Sequence, residues 1–343
     1  MSDSNQAEHE QISTSLEVEQ LDSNLFRSKS LWVPANARGV FGGQVISQAL
    51  VSATNCVNPN FGLHSLHCYF LLSASPATAI IYHVDRVRQG RTYATISVRA
   101  NQNGRTVFVL MCSFQKPEPW QPSHQWPMPH VPGPGDCEDE EVRLLIMAES
   151  TTTSREKKLY QDALKVGHSL PSSVSLAHGG CKERAKSPVA IKRAKEHHVA
   201  ADGTVVYMHW IQARNIPKYE APFQKVMHTQ LHFRLEFVHF TTSLDISIST
   251  VPKILGLKRF GKGPNGISMT SSIDHSIYFY NDDFDCGDWL LYVVSSPRSG
   301  SGRGVVHGRM YSQNGSLVAV TSQEGVVRAN IQGPKDSNVN AKL

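Results

Sequence analysis

The sequence lacks the features that mark several common classes of protein. Its six cysteines are scattered, and because none forms a CxxC pair, we expect reduced structural thiols and no zinc site. No stretch approaches the roughly 20 apolar residues of a membrane span, and the polar N-terminus has no apolar core of a signal peptide. No basic run is interleaved with aromatic residues, so nucleic acid is not an expected partner. These absences indicate a soluble intracellular protein.

Familiar catalytic motifs are also missing. No G-x-S-x-G occurs, which argues against the nucleophile elbow of an α/β-hydrolase. No HExxH zinc motif is present either. The segment GKGPNG (261–266) fits G-x-G-x-x-G, but it contains Pro264 and opens no helix, which indicates a turn. We therefore do not expect a metal site.

What remains is a globular composition with a mild basic excess. The chain has 343 residues, enough for two domains of ordinary size, and 40% of them are hydrophobic while 18% are charged. The net charge of +5 arises from 34 basic and 29 acidic residues. This excess is compatible with an anionic small substrate but does not identify one.

The first half of the chain predicts one helix followed by an antiparallel meander. Residues 41–57 carry apolar side chains at spacings of three and four, which indicates a helix with one buried stripe. Four strand-like runs follow, and turn signals such as RQGR and QNGR separate them. One long helix followed by about four antiparallel strands predicts an α+β unit, not a parallel doubly wound sheet.

The second half of the chain repeats this pattern. Seven prolines between residues 116 and 137 mark a linker between the halves. A helix wrapped by an antiparallel sheet, present twice, predicts a double hot-dog fold in which the two sheets join edge to edge. The predicted divisions are an N-terminal arm (1–25), a first unit (26–120), a proline-rich and helical connector (121–202), a second unit (203–331) and a polar tail (332–343).

Two sequence anchors align the repeats. SLHCYF is set against IDHSIYF, and NGRTVFVLMCSF against NGSLVAVTSQEG. Only the second half then carries an acid, a hydroxyl and an amide at the aligned positions, so we expect one active site for each pair of units. The alignment pairs His67 with His275, Asn103 with Asn314, His64 with Ser272, Cys112 with Gln323 and Gln44 with Asp245.

The stretch SSIDHSIYF places Ser272, Asp274 and His275 within four positions. Side chains alternate between the two faces of a strand, so Ser272 and Asp274 should face one way and His275 the other. Ser272 and His275 then cannot share a proton. A local catalytic triad is therefore excluded, and the partners of Ser272 must come from elsewhere in the chain.

The chain ends in Ala341-Lys342-Leu343, a near variant of the Ser-Lys-Leu peroxisomal address. A polar segment precedes the tripeptide and would leave it free for an import receptor. We therefore expect the protein in the peroxisomal matrix.

Six segments in order resemble the type II acyl-CoA thioesterases, in particular the eukaryotic peroxisomal members. They are RGVFGGQVISQAL, LHSLHCYFL, SIDHSIYF, WLLYVVSSPR, GRGVVHGRMYSQNGSLVAVTSQEGVVR and the terminal AKL. The resemblance covers roughly residues 25–120 and 203–331. It implies a double hot-dog hydrolase that converts acyl-CoA to free acid and CoA without a cofactor, and it implies homo-oligomers of such units.

The resemblance also implies a catalytic set of three residues. The hydroxyl before the IDHS-like strand is Ser272, and the amide before EGV is Gln323. The aspartate at the start of the second hot-dog helix is Asp245, where this chain reads TTSLD and the family usually reads serine-aspartate. Leu244 thus departs from the pattern, and Pro252 is expected to end or kink that helix.

These three residues suit thioester hydrolysis, which needs an activated water and a place for the developing oxyanion. An aspartate can accept the proton of the water, while a hydroxyl and an amide hold that water in line. Each residue also has a structural explanation: Asp245 as a helix cap, Gln323 as a partner of backbone groups and Ser272 as a small strand residue. The alternative function is a catalytically silent acyl-CoA-binding protein. An enoyl-CoA hydratase ranks last, because no histidine follows Asp245 at the spacing that such enzymes use.

Overall fold

The computed structural model describes most of the two predicted units. Among the described ranges, no helix is both long enough and apolar enough to cross a bilayer. The described residues are 15–33, 37–139, 188–199, 203–214, 250–257 and 266–330, with isolated positions in 142–150 and 225–229.

In its described residues, the first unit has one central helix and six strands. Helix α1 spans Gly42–Thr54, and eleven of its thirteen residues are buried, which confirms the predicted helix. The strands are β1 (Val18–Asp22), β2 (Leu25–Ser28), β3 (Gly62–Phe70), β4 (Ile81–Gln89), β5 (Tyr93–Gln102) and β6 (Arg105–Gln115).

The second unit has seven described strands and a short described helix, α2 (Thr250–Ile254). A 3-10 turn at Pro134–Asp136 precedes the strands of this unit in the chain. The strands are β7 (Val189–Val199), β8 (Val205–Ala213), β9 (Ile267–Ser272), β10 (Asp274–Phe279), β11 (Leu290–Gly300), β12 (Arg303–Ser312) and β13 (Leu317–Ala329).

All thirteen strands form one antiparallel sheet whose order is nearly symmetric. The order is β1-β2-β4-β5-β6-β3-β10-β13-β12-β11-β8-β7, with β9 paired to β13 beside this path. Strands β3 and β10 meet at the centre, where His67 lies opposite Ser276 and their side chains form a 3.0 Å hydrogen bond. Outward from this pair, each strand of one unit has a counterpart in the other. The two sheets are therefore joined edge to edge, as the double hot-dog prediction requires.

Strand pairing also defines which residues of the two units are equivalent. Phe70 lies opposite Phe108 on β6, and Phe279 lies opposite Ala319 at the equivalent place on β13. Counting back from these two phenylalanines makes His67 equivalent to Ser276. The predicted match of His67 with His275 is therefore wrong by one residue, and the burial agrees, because His275 is fully buried whereas His67 is exposed.

Two strands of the sheet lie in segments that were predicted to be outside the two units. Val18–Asp22 already forms β1, so the expected arm over residues 1–25 contains a strand. Val189–Val199 forms β7 of the second unit, although these residues lie in the predicted connector. Both strands lie at an edge of the sheet, where polar and charged residues are common, so their alternation is weak in the sequence alone.

The proline-rich segment packs on the outer face of the second unit. The side chain of Gln125 accepts a hydrogen bond from the backbone of Leu317 (2.9 Å) and donates one to the carbonyl of Gly315 (2.7 Å). The indole of Trp210 donates to the carbonyl of Pro132 at 2.9 Å. Met128 and Val131 cover the apolar cluster that Trp210 belongs to. This part of the predicted linker is therefore attached to the sheet along its length.

Candidate active site

A β-bulge at Ile273 reorients the stretch that contains the predicted site. Ser272 lies opposite Gly325 of β13, whereas Ser276 lies opposite Ser322, so the β9–β10 side has one more residue than β13 between these pairs. The amide of Ile273 donates to Glu324 at 2.9 Å. Because the extra residue interrupts the period of two, Ser272 and His275 face the same, inner side of the sheet. The prediction that they face opposite sides is wrong.

Ser272 and Gln323 form a hydrogen-bonded pair on this inner face. The side-chain amide of Gln323 donates to the hydroxyl oxygen of Ser272 at 2.7 Å. Ser272 lies opposite Gly325, and Gln323 lies two residues from Gly325, so their side chains share a face as diagonal neighbours. Gln323 is only 1% exposed. The structure thus brings together two residues that are 51 positions apart in the chain.

The carboxylate of Asp274 binds the backbone of β13. Its Oδ1 accepts a hydrogen bond from the amide of Glu324 at 2.8 Å, which ties β10 to β13 beside the bulge. Burial raises the pKa of the Asp274 carboxyl, and the charge of Glu324 adds to the rise while the backbone hydrogen bond opposes it. Arg303 pairs with Glu324 at 3.3 Å. This network supports the backbone at the bulge.

His275 and His228 are buried as neutral imidazoles near the pair. Burial lowers the pKa of His275 to about 3, and the charge of His228 contributes to the same shift. Burial also lowers the pKa of His228 to about 3. His228 packs edge-on against Phe279 and Phe284, with ring centroids 5.3 and 5.7 Å apart. Neither histidine is therefore an imidazolium near neutral pH.

Comparison of the two units shows where the second unit departs from the first. Strand pairing makes Leu63, which lies opposite Phe114, the counterpart of Ser272, so the predicted match with His64 is wrong. The predicted match of Cys112 with Gln323 is confirmed. Six buried apolar positions of the first sheet carry polar side chains or glycine in the second, namely Leu63 and Ser272, Leu66 and His275, Val98 and Gly308, Leu110 and Thr321, Cys112 and Gln323, and Phe114 and Gly325.

The first unit has no counterpart of the hydrogen-bonded pair. Leu63 is buried and apolar, and Cys112 is fully buried, which raises the pKa of its thiol well above the usual value. Gln44, at the helix start, holds the N-terminal segment: its side chain accepts from the amide of Trp32 at 2.7 Å and donates to the carbonyl of Ser30 at 3.2 Å. These contacts give Gln44 a structural role. At these six equivalent sheet positions, the second unit has polar residues or glycine where the first unit has apolar residues.

Helix α2 packs over β11 and β12, beside the strands that carry the pair. Gly304 lies opposite Gly325, which in turn lies opposite Ser272, so the three residues form a row across β12, β13 and β9. A Cβ atom on Gly304 would lie 2.7 Å from the methyl carbons of Val251. The glycine is therefore what allows α2 to approach the sheet. The third predicted residue, Asp245, lies outside the described residues, as does Leu244.

No metal site competes with this interpretation in the part of the chain that is described, where no three His, Cys, Asp or Glu side chains form a group able to hold an ion. The described residues offer the serine hydroxyl and the glutamine amide at the site. A hydroxyl and an amide can each donate and accept a hydrogen bond, which suits them to hold a water or a carbonyl oxygen.

Comparisons with known proteins identify the class. Residues 30–115 match the acyl-CoA thioesterase N-terminal domain, and residues 180–327 match the acyl-CoA thioesterase C-terminal domain. Human acyl-coenzyme A thioesterase 8 is 31% identical over 94% of this chain and 90% of its own length. Peroxisomal acyl-coenzyme A thioester hydrolase 1 of Saccharomyces cerevisiae is 27% identical over 91% of this chain and 93% of its own length. The crystal structure of acyl-CoA thioesterase II TesB2 from Mycobacterium marinum has a TM-score of 0.65 at 24% identity, covering 93% of this chain and 98% of that chain.

The symmetric sheet and these matches together define a double hot-dog protein that acts on thioesters. The chain belongs to the type II acyl-CoA thioesterase family, and it is an acyl-CoA thioester hydrolase. The start of the second match at residue 180 agrees with the assignment of β7 to the second unit.

Proposed function

We propose that this enzyme hydrolyses fatty acyl-CoA to free fatty acid and CoA by direct attack of a water molecule. Ser272, Gln323 and Asp245 carry the reaction. The observation that supports this proposal most strongly is the 2.7 Å hydrogen bond between Gln323 and Ser272 on the inner face of the sheet. The same positions are apolar or a buried thiol in the first unit, so the pair is not a requirement of the fold.

Each residue has a distinct part in the proposed reaction. Gln323 donates to the oxygen of Ser272, so the hydroxyl hydrogen of Ser272 is directed away from the amide and toward the water or the thioester oxygen. Asp245 accepts a proton as the water oxygen bonds to the thioester carbon. The carbon–sulfur bond then breaks, and the CoA thiolate takes up that proton. No covalent enzyme intermediate and no metal are needed.

The reach of the chain supports the choice of Asp245. It precedes Thr250, the first described residue of α2, by five residues, so it lies within about 17 Å of Thr250 even if the segment is fully extended. The next residue of α2, Val251, packs on Gly304, two strands from Ser272. Asp245 is also the sole acid between Glu236 and Asp274.

The proposed setting is peroxisomal fatty acid metabolism. The terminal Ala341-Lys342-Leu343 resembles the tripeptide that the peroxisomal import receptor binds, and the yeast relative is named as a peroxisomal enzyme. A fluorescent protein fused to the N-terminus should enter peroxisomes with the intact chain and stay outside them when the tripeptide is deleted. Equal import of both forms would contradict this assignment.

Single variants test the catalytic assignment. Gln323→Ala and Ser272→Ala should each lower kcat by about 100- to 1,000-fold, since each removes a group that orients the reacting oxygen. Asp245→Asn should lower it further, because it removes the base. The assay is CoA release from acyl-CoA at equal folded concentration. The matched control is Cys112→Ala, which changes the equivalent position of the first unit and should leave kcat within twofold.

Different outcomes would contradict different parts of the proposal: the role of the pair, the role of Asp245, or hydrolysis itself. Full activity of Ser272→Ala and Gln323→Ala would overturn the assignment of the pair. Full activity of Asp245→Asn alone would leave the pair in place and exclude Asp245 as the base. A wild-type chain that binds acyl-CoA and releases no CoA would contradict hydrolysis itself.

A further inference from the structure

The two units carry a tyrosine at the same position but use it differently. Tyr82 lies opposite Ala100 and Tyr292 lies opposite Met310, at equivalent places on β4 and β11, and both are buried. The hydroxyl of Tyr82 donates to the side chain of Gln48 on helix α1 at 2.8 Å. The hydroxyl of Tyr292 lies 3.3 Å from the hydroxyl of Thr321 on β13 instead. The second tyrosine is thus bonded to the strand that carries Gln323.

Gly308 is the reason that the second tyrosine can lie this way. A Cβ atom on Gly308 would be 2.5 Å from the ring of Tyr292 and 2.3 Å from the hydroxyl of Thr321. The first unit has Val98 at this position, and a valine side chain would exclude the ring. A glycine inside a strand weakens it by roughly 0.5–1 kcal/mol. That cost indicates that the position of the ring serves a purpose beyond packing.

Tyr292 contacts Thr321, which lies two residues from Gln323 of the proposed catalytic pair. Thr321 and Gln323 are two residues apart on the same face of β13, which corresponds to roughly 7 Å. Beyond Thr321 the strand residues of the inner face are apolar and buried, namely Ile277, Ala319 and Met310, and the neutral ring of His228 packs on Met310. In the opposite direction β13 leads to Arg328, which is exposed near the end of the strand. An acyl group bound at the pair would therefore extend toward Thr321, and the polar CoA toward the exposed end.

We propose that Tyr292 determines the length of the acyl chain that the enzyme accepts. Its ring, seated on Gly308 and hydrogen-bonded to Thr321, forms the closed end of the acyl-binding channel. This inference rests on the proposed catalytic site at Ser272 and Gln323. It assigns the substrate preference of that site to a residue that takes no part in the chemistry.

The test is a profile of kcat/KM across straight-chain acyl-CoAs from short to very long, measured for Tyr292→Ala and Tyr292→Leu. Removing the ring should lengthen the channel. Each further methylene that becomes buried should then raise kcat/KM for long substrates, relative to short ones, by about fourfold. The matched control is Tyr82→Leu, which removes the equivalent buried tyrosine and should keep the wild-type profile.

A second variant displaces the ring of Tyr292 without replacing Tyr292 itself. Gly308→Val installs the residue of the first unit and should displace Tyr292, so its profile should also change. A folded Tyr292→Leu with the wild-type profile would overturn the inference, as would a uniform loss across all chain lengths, which a packing role alone predicts. If Tyr292→Ala does not fold, Tyr292→Leu decides the matter. Undiminished hydrolysis by Ser272→Ala would instead mark a failure of the proposed site.

Discussion

The free energy of unfolding should fall steeply once the pH drops below about 6.5, because two histidines are buried without charge. His275 and His228 are fully buried, and burial lowers the pKa of each from 6.5 to about 3. Unfolding exposes both rings to water and restores the ordinary pKa. The unfolded chain therefore binds more protons than the folded chain between about pH 6.5 and pH 3.

The sign and size of the effect follow from this difference in bound protons. Stability is fully present above pH 6.5 and is lost as the pH falls toward 3, since the folded pKa is the lower one. Each histidine should remove about 2 kcal/mol of stability between pH 7.5 and pH 5. Below pH 6 the slope approaches about 1.4 kcal/mol per pH unit for each ring.

Urea unfolding at intervals from pH 7.5 to pH 5 measures this slope. The variant His275→Leu places the residue type of Leu66, its counterpart in the first unit, at this position and should reduce the pH dependence by about 2 kcal/mol over that range. Ile277→Val is the control: it trims a buried neighbour on the same strand and should cost about 1 kcal/mol at every pH without altering the slope. An unchanged slope in His275→Leu would refute the account of a buried neutral imidazole.

Two further predictions concern packing around the helices. Gly304→Leu should collide with Val251 and lower the free energy of unfolding by about 1–3 kcal/mol; thermal unfolding measures this, and an unchanged melting temperature would show that α2 does not depend on the glycine. Gln48→Ala should cost about 1–3 kcal/mol, because it leaves the buried hydroxyl of Tyr82 without its acceptor and removes hydrogen bonds to the carbonyls of Ser15 and Ser30. The double variant Gln48→Ala, Tyr82→Phe should recover part of that loss, and full additivity of the two changes would contradict the hydrogen bond.

The regular elements of the first unit could be predicted from local patterns. The apolar spacing over residues 41–57 corresponds to helix α1, which packs on β5 and β6 and is buried on nearly all sides, not along one stripe as predicted. The QNGR signal corresponds to the two-residue turn between β5 and β6, where Asn103 and Gly104 both have positive φ (52° and 74°). Asparagine and glycine tolerate that conformation, and the hairpin requires it. Such features depend on neighbours in sequence, so a sequence is enough to find them.

The bulge at Ile273 could not be predicted in the same way. Alternation along residues 272–277 assumes one uninterrupted strand, and nothing in the local sequence marks the inserted residue. The bulge lies where β9, which pairs with β13, is followed by β10, which lies between β3 and β13. Which strands flank a residue is decided by contacts distant in sequence. The error of one residue in matching His67 does not arise from the bulge, because β3 has an equivalent irregularity between Leu63 and Ser65.

Gly308 shows a signal that the sequence did contain. A glycine within the strand-like segment GVVHGRM is unusual and often marks a close approach by another group. The sequence does not say which group approaches. Only the pairing of β11, β12 and β13 shows that the ring of Tyr292 takes the space and that the hydroxyl of Thr321 meets it.

By itself, the sequence determined that the chain contains two related α+β units and that the second carries the hydroxyl and amide of a thioesterase motif. The tertiary structure decided that Ser272 and Gln323 meet at 2.7 Å, and that their counterparts in the first unit are a leucine and a buried thiol. The reason is physical. Periodicity and turn chemistry act over a few residues, whereas strand register, bulges and the burial of polar groups are set by the joining of distant strands into one sheet.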